Sequence, residues 1–221
     1  MRKLAFHEIN GVICCLSGLR IGGSDDVLQI GGTDLTCVKH EVTKKPYIPG
    51  SSLKGKLRSE LEAAGFADVI QSDPCGCGKC IVCAVFGPFR NTRHDLGPTR
   101  IIVRDGQLLS GGDIERKSST AIDRQSGAGL HGSLRSEERV VAGSLFSLRI
   151  GIQIWDRDEN AKHTNHKKVE YGGWMALVVL VLDGLKLVQR TGLGSGVSKG
   201  SGEIQFEDIK LDGQPIPKDL W

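Results

Sequence analysis

Tyr47-Ile48-Pro49-Gly50-Ser51-Ser52-Leu53-Lys54-Gly55-Lys56-Leu57-Arg58 is the stretch around which the rest of the chain arranges itself. It predicts a short strand, a tight Pro-Gly turn and the opening of a helix. Ser51 or Ser52 has the chemistry of an N-cap just past that turn. Leu53, Leu57 and Leu61 recur every fourth residue and give the helix one apolar face. A helix start carries partial positive charge and favours carboxylates, yet this one brings Lys54, Lys56 and Arg58. Between Lys39 and Arg58 six Lys/Arg stand against one Glu. Unpaired N–H groups, serine hydroxyls and cations at one place suit an anion, most simply phosphate.

Gly50 to Lys56 also fits the first seven positions of a nucleotide-binding P-loop. The eighth should be Ser or Thr to hold magnesium, and it is Leu57. Leu53 already follows the helical period where a P-loop would still be loop, so ATP binding is set aside.

The chain of 221 residues suits one large domain, and 39% hydrophobic with 25% charged residues is ordinary for a globular protein. A net charge of +3 is too small to hold nucleic acid by itself, so any such affinity must come from clustering. Aromatic residues at 5% are few for a protein that grips bases by stacking, which favours contacts to the backbone. Glycine, 30 residues, is enriched in loops, where main chain can approach a ligand closely. Met1-Arg2-Lys3 runs straight into a strand-like segment, the longest apolar run is short, and seven cysteines form no secreted framework. A cytoplasmic location is expected.

Four of those cysteines lie in Cys75-Gly76-Cys77-Gly78-Lys79-Cys80-Ile81-Val82-Cys83. Four thiols within nine residues point to a metal, and the site is expected to be a structural zinc pinning a long loop. A ferredoxin-type cluster would need a further cysteine near position 87, which is Gly87. The Cys75-x-Cys77 spacing is tight, and His94 could displace either of those two, so the ligands are some four of Cys75, Cys77, Cys80, Cys83 and His94. By contrast, Cys14-Cys15 reads as core. The polar loop 156–168 carries His163 and His166, which are expected to be solvated.

The remaining segments predict strands at Leu4–Ser17, Arg100–Arg104, Leu145–Trp155 and Glu203–Phe206. A helix is expected from the Pro-Gly turn to about Ala64, and another over roughly Glu170–Leu182. Such an alternation is α+β. Residues 193–202, Leu-Gly-Ser-Gly-Val-Ser-Lys-Gly-Ser-Gly, form a glycine-rich loop directly ahead of a strand.

In order and spacing, the motifs at 47–58, 122–143 and 193–202 resemble the backbone subunit of type III CRISPR effector complexes. That family lies in the RAMP superfamily and is most similar here to the third subunit of type III-A Csm complexes. The resemblance runs from about residue 17 to 206. It implies a ferredoxin-like, RRM-type fold, a single domain over 1–221 with an inserted zinc loop at 66–98 and a β-hairpin thumb at 111–143. The implied function is to polymerise along crRNA, hold the guide–target duplex and cleave target RNA at regular intervals. Asp34, in Gly31-Gly32-Thr33-Asp34-Leu35, is implied as the cleaving residue, with Mg²⁺. Guide contacts are implied for Arg20, Ser51, Ser52, Lys54, Lys56, Arg58, Gly194, Gly196, Lys199 and Gly200, and duplex contacts for Arg124, Arg135 and Arg139. Expected partners are crRNA, target RNA, the other Csm-type subunits including the large one, and further copies of the chain in a helical filament. Arg20 stands where the family usually has His, Lys199 where it has Arg, Ser201 where it has an aromatic, and Ser119-Thr120 where it has Glu-Asn. Two alternatives share the resemblance: a scaffold that binds without cutting, and a stand-alone CRISPR RNA processing endonuclease. No histidine beside the glycine loop offers the latter a base.

Overall fold

The computed structural model describes residues 1–22, 35–67, 73–217 and 220–221. Its strands are β1 (Lys3–Cys15), β2 (Ile101–Val103), β3 (Leu108–Ser110), β4 (Ile114–Ser119), β5 (Arg135–Val140), β6 (Leu145–Trp155), β7 (Lys162–Thr164), β8 (Glu170–Gly172), β9 (Ile204–Leu211) and β10 (Gln214–Pro215). Its α-helices are α1 (Gly50–Ala63), α2 (Ile81–Phe86) and α3 (Gly173–Thr191).

β1 and β6 form the spine of the main sheet. Ile9 lies opposite Ile150 and Ile13 opposite Phe146, and all four are buried. The sheet order is β10-β9-β1-β6-β2, with β3 also on β6, and every pairing is antiparallel. Alternation along β6 sends Phe146, Leu148, Ile150, Ile152 and Ile154 into the core. Arg149, on the other face, stays exposed, as a sheet covered on one side requires.

The covering layer is α1 and α3. Leu53, Leu57 and Leu61 of α1 are all at most 2% exposed. A Cβ added to Gly184, in the middle of α3, would meet Leu57 Cδ2 and Leu61 Cδ1 at 3.2 Å. Glycine there costs about 1 kcal/mol of helix propensity but lets the two helices approach. α3 runs nine residues past the expected end at Leu182. Asp183-Gly184 reads as a stop, but Leu185 and Val188 continue the buried face.

The start of α1 differs from expectation. Its N-cap is Pro49, with no side-chain cap, so neither Ser51 nor Ser52 caps it. Instead the Gly50 N–H donates to Asp105 Oδ1 at 2.7 Å, which supplies the carboxylate a helix start favours. A Cβ on Gly50 would lie 2.3 Å from the Val103 carbonyl oxygen. The glycine of this motif is thus required by main-chain packing against β2.

His163 also differs from expectation, while His166 stays exposed as expected. His163 is 4% exposed, and its Nε2 lies 2.9 Å from Asp183 Oδ2, while His166 Nδ1 lies 3.0 Å from Oδ1. Lys186 Nζ completes the group at 3.4 Å. A carboxylate in an apolar helix needs such partners, and it draws the β7–β8 hairpin onto α3. Arg100 likewise is buried and paired, its Nη2 2.8 Å from Asp158 Oδ1. Among the described residues no helix is long and apolar enough to cross a membrane.

Candidate nucleic-acid interface and metal centre

β4 and β5 form a separate two-stranded sheet, registered from Ile114 opposite Val140 to Ser119 opposite Arg135. Its tip carries exposed Ile122, Leu130 and Leu134. Its base meets two loops. Leu19 exchanges main-chain hydrogen bonds with Val140 at 2.9 and 2.7 Å, and Glu138 N–H donates to the Leu35 carbonyl at 2.9 Å. The 18–20 turn is then locked to the glycine loop, with Ser195 N–H on the Arg20 carbonyl and Gly202 N–H on that of Gly18, both at 2.9 Å.

The glycines of this loop have separate reasons. Gly194 has φ +81°, and an added Cβ would sit 2.3 Å from the Arg20 carbonyl oxygen. Gly196 and Gly200 are left-handed and flank a one-turn 3-10 helix, Val197–Lys199. The N–H groups of Gly196, Val197 and Ser198 donate to nothing among the described residues. Successive free N–H groups in such a turn form an anion-binding concavity.

Cations converge on it. Arg20 is 8% exposed; its Nη1 donates to Ser195 Oγ at 2.9 Å, and its buried Nε has no partner among the described residues. No carboxylate among the described residues pairs with Arg20. Arg139 lies across Gly18, pairs with Glu115 at 2.6 Å and donates to Ser201 Oγ at 3.3 Å. Lys117 Nζ donates to the Lys199 carbonyl at 2.7 Å, tying β4 to the glycine loop. Sequence reading missed Lys117 and Ser195. On β4 and β5, Glu115, Lys117 and Arg139 share one face only once the register is known.

The other expected RNA contacts are more scattered. Arg124 and Arg135 are exposed, the first near the hairpin tip and the second on β5. Ser51 is exposed and Ser52 half-buried on α1. Of that helix's cations, Lys56 pairs with Glu60 at 2.5 Å and Arg58 with Glu62 at 2.7 Å. Lys54 has no such partner among the described residues; burial, then the neighbouring Arg58 charge, lowers its pKa. No hydrogen bond or ion pair among the described residues joins these three to the glycine-loop cluster. Asp34 lies outside the described residues.

Beside α1, to which the Cys75 main chain is bonded through Arg58 and Glu62, the four thiols of Cys75, Cys77, Cys80 and Cys83 lie within 4.8 Å of one another. The recorded sulfur separations are 3.9 Å for Cys75–Cys80, 3.8 Å for Cys77–Cys83 and 3.7 Å for Cys75–Cys83. A tetrahedron with metal–sulfur bonds of about 2.3 Å has edges of about 3.8 Å, so the cluster fits a four-coordinate metal. His94 is outside the group; its Nδ1 accepts from the Leu96 N–H at 3.2 Å. Burial pushes the Cys77 thiol up, but N–H donors from Cys80 and Lys79 outweigh it and bring it down to about 7. Burial raises Cys80, and it lifts Cys83 to about 11. Cys77 is therefore the readiest of these three to become a thiolate. Away from the cluster, burial raises Cys15 to about 12 and Cys37 to about 11, as expected of inert core thiols.

Known proteins with this pattern can now be set beside it. The family model of the RAMP superfamily matches residues 13–205. The chain is 36% identical to the CRISPR system Cms endoribonuclease Csm3 of Methanothermobacter thermautotrophicus, over 98% of this chain and 89% of that protein. It is 33% identical to the protein of the same name from Methanocaldococcus jannaschii, over 94% and 81%. Among solved structures it is similar to the crystal structure of a Csm3–Csm4 subcomplex in the type III-A CRISPR-Cas interference complex. That match has a TM-score of 0.60 at 25% identity and covers 96% of this chain and 80% of the other. Motif order, fold and these likenesses agree, and the chain belongs to the RAMP superfamily, within its Csm3 family.

Proposed function

We propose that the chain is a crRNA-binding backbone subunit of a type III CRISPR ribonucleoprotein, and an endoribonuclease that cuts target RNA held on the guide. The observation that carries this is Arg20: a buried guanidinium with a partnerless Nε, beside free N–H groups and Arg139. A buried cation without an anion is costly, and a phosphodiester supplies one. Base pairing, not side chains, would read sequence, as in other RNA-guided systems.

The strand order β9-β1-β6-β2, with α1 and α3 on one face, supports a ferredoxin-like reading of a single domain over 1–221. The β4–β5 hairpin is assigned as the thumb within 111–143, where Arg124, Arg135 and Arg139 meet the duplex. Lys54, Lys199 and the glycines at 194, 196 and 200 join Arg20 on the guide backbone. Cutting is assigned to Asp34; Mg²⁺ there would polarise the scissile phosphate. Leu35, the next residue in the sequence, is bonded to β5 at the hairpin base. The metal of the cysteine loop, within 66–98, is assigned as zinc with a structural role: four thiolates close its coordination. Partners are crRNA, target RNA, the other Csm-type subunits and further copies of the chain, in the cytoplasm.

The test is target cleavage by the assembled complex, with Mg²⁺ and then with EDTA. Asp34→Ala is expected to abolish cutting while guide and target still bind. Undiminished cutting would remove Asp34 from the role, and a complex that binds without cutting in any metal would leave a scaffold.

A further inference from the structure

The Cys75 peptide is held from both sides by one ion pair on α1. Glu62 Oε1 accepts the Cys75 N–H at 3.0 Å, and Arg58 Nη2 donates to the Cys75 carbonyl at 2.6 Å. The same Glu62 oxygen takes Arg58 Nε at 2.7 Å. Glu62 is 9% exposed and Cys75 1%, so water does not compete for these bonds. Lys56–Glu60 is a similar i,i+4 pair nearby on α1 that, among the described residues, makes no bond to the cysteine loop.

We propose that Arg58 and Glu62 are positioning residues for the four-thiolate site, clamping the Cys75 peptide so that its sulfur meets the metal in register. The Cys75 carbonyl also receives the Cys83 thiol at 3.3 Å. Arg58 would then act on the metal loop, and Lys54 would be the α1 cation left for RNA. The clamp also makes the helix that carries Lys54 a support of the metal site. The proposal rests on the metal reading above and is independent of the RNA reading.

The test uses the full chain without RNA and Co²⁺ alone as the probe, since thiolate-bound tetrahedral cobalt absorbs visibly. The parent chain should show those bands. Arg58→Ala and Glu62→Ala are each expected to weaken Co²⁺ about tenfold, the lower end for residues that orient metal ligands. The double variant should lose little more, because the two act as one clamp. Glu62→Gln, which keeps an acceptor for the Cys75 N–H, should recover part of the affinity. Glu60→Gln should bind as the parent does. If Arg58→Ala does not fold, Arg58→Lys takes its place; it keeps the charge but cannot reach Glu62 and Cys75 with two arms. Parental affinity in the clamp variants, or an equal loss in Glu60→Gln, overturns the proposal. Absence of thiolate–cobalt bands in the parent would overturn the metal reading itself.

Discussion

In the helical layer Lys56 pairs with Glu60, Arg58 with Glu62 and Lys186 with Asp183, which His163 and His166 also bond. At the loop junction Arg20, among the described residues, reaches only a serine hydroxyl, and its Nε has no partner there. Both regions read as basic or polar clusters in the sequence. The difference teaches that a run of Lys and Arg is not a charge until its carboxylates are placed. Helical i,i+4 geometry neutralises much of α1 from within, while at the junction Glu115 meets Arg139 but no carboxylate among the described residues meets Arg20.

The largest effect should come from breaking the internally paired region. Asp183→Ala strands buried His163 and half-buried Lys186, and about 3 kcal/mol of stability should be lost, read by urea unfolding at neutral pH. Burial alone would raise the Asp183 carboxyl, but the histidine hydrogen bonds and the Lys186 charge outweigh it and hold its pKa below 3.8. A depressed folded value means this stability is present above the unfolded pKa and is lost as pH falls through the folded one. Acid unfolding of the parent should therefore steepen below pH 3.8, and Asp183→Asn should flatten that limb.

Next comes the open region. Arg20→Ala should weaken binding of single-stranded RNA on the order of 30-fold, about 2 kcal/mol for a buried charged contact, with fold stability measured alongside. Anisotropy titrations should show the loss equally for unrelated RNA sequences. A smaller change is expected at Lys54, half-buried but without a carboxylate. Lys54→Ala should cost about 1 kcal/mol and reduce the salt slope by roughly 0.7, as for one phosphate on a single strand. Lys56→Ala should change affinity by less than about twofold, because Glu60 already compensates it. A Lys56 effect as large as that of Arg20 would erase the contrast between the two regions.

Much of the architecture was legible because it is periodic. Leu53, Leu57 and Leu61 marked α1, and the alternation from Phe146 to Ile154 marked β6. The cysteine spacing announced a cluster of four thiols that could hold a metal, and among the described residues His94 does not join that group. What could not be read depends on residues far apart in sequence. Asp105 caps α1 from fifty-five positions away, so the serines seemed the natural caps. His163 reads as solvated in the sequence because Asp183, its partner, lies in an apolar helix, whereas His166 bonds the same carboxylate and stays exposed. Ser195 and Lys117 join the site only through the interlocking of loops 18–20 and 193–202 and the register of β4 on β5. Gly50 and Gly194, which match a ligand-binding motif, are fixed as glycine by main-chain oxygens 2.3 Å from where a Cβ would sit.

Photocrosslinking of the assembled ribonucleoprotein, with the joined peptides identified by mass spectrometry, tests the junction most directly. The account predicts guide RNA attached within 18–22, 193–202 and the β5 base around Arg139, irrespective of guide sequence. Crosslinks confined to other faces, with these three segments untouched, would contradict it.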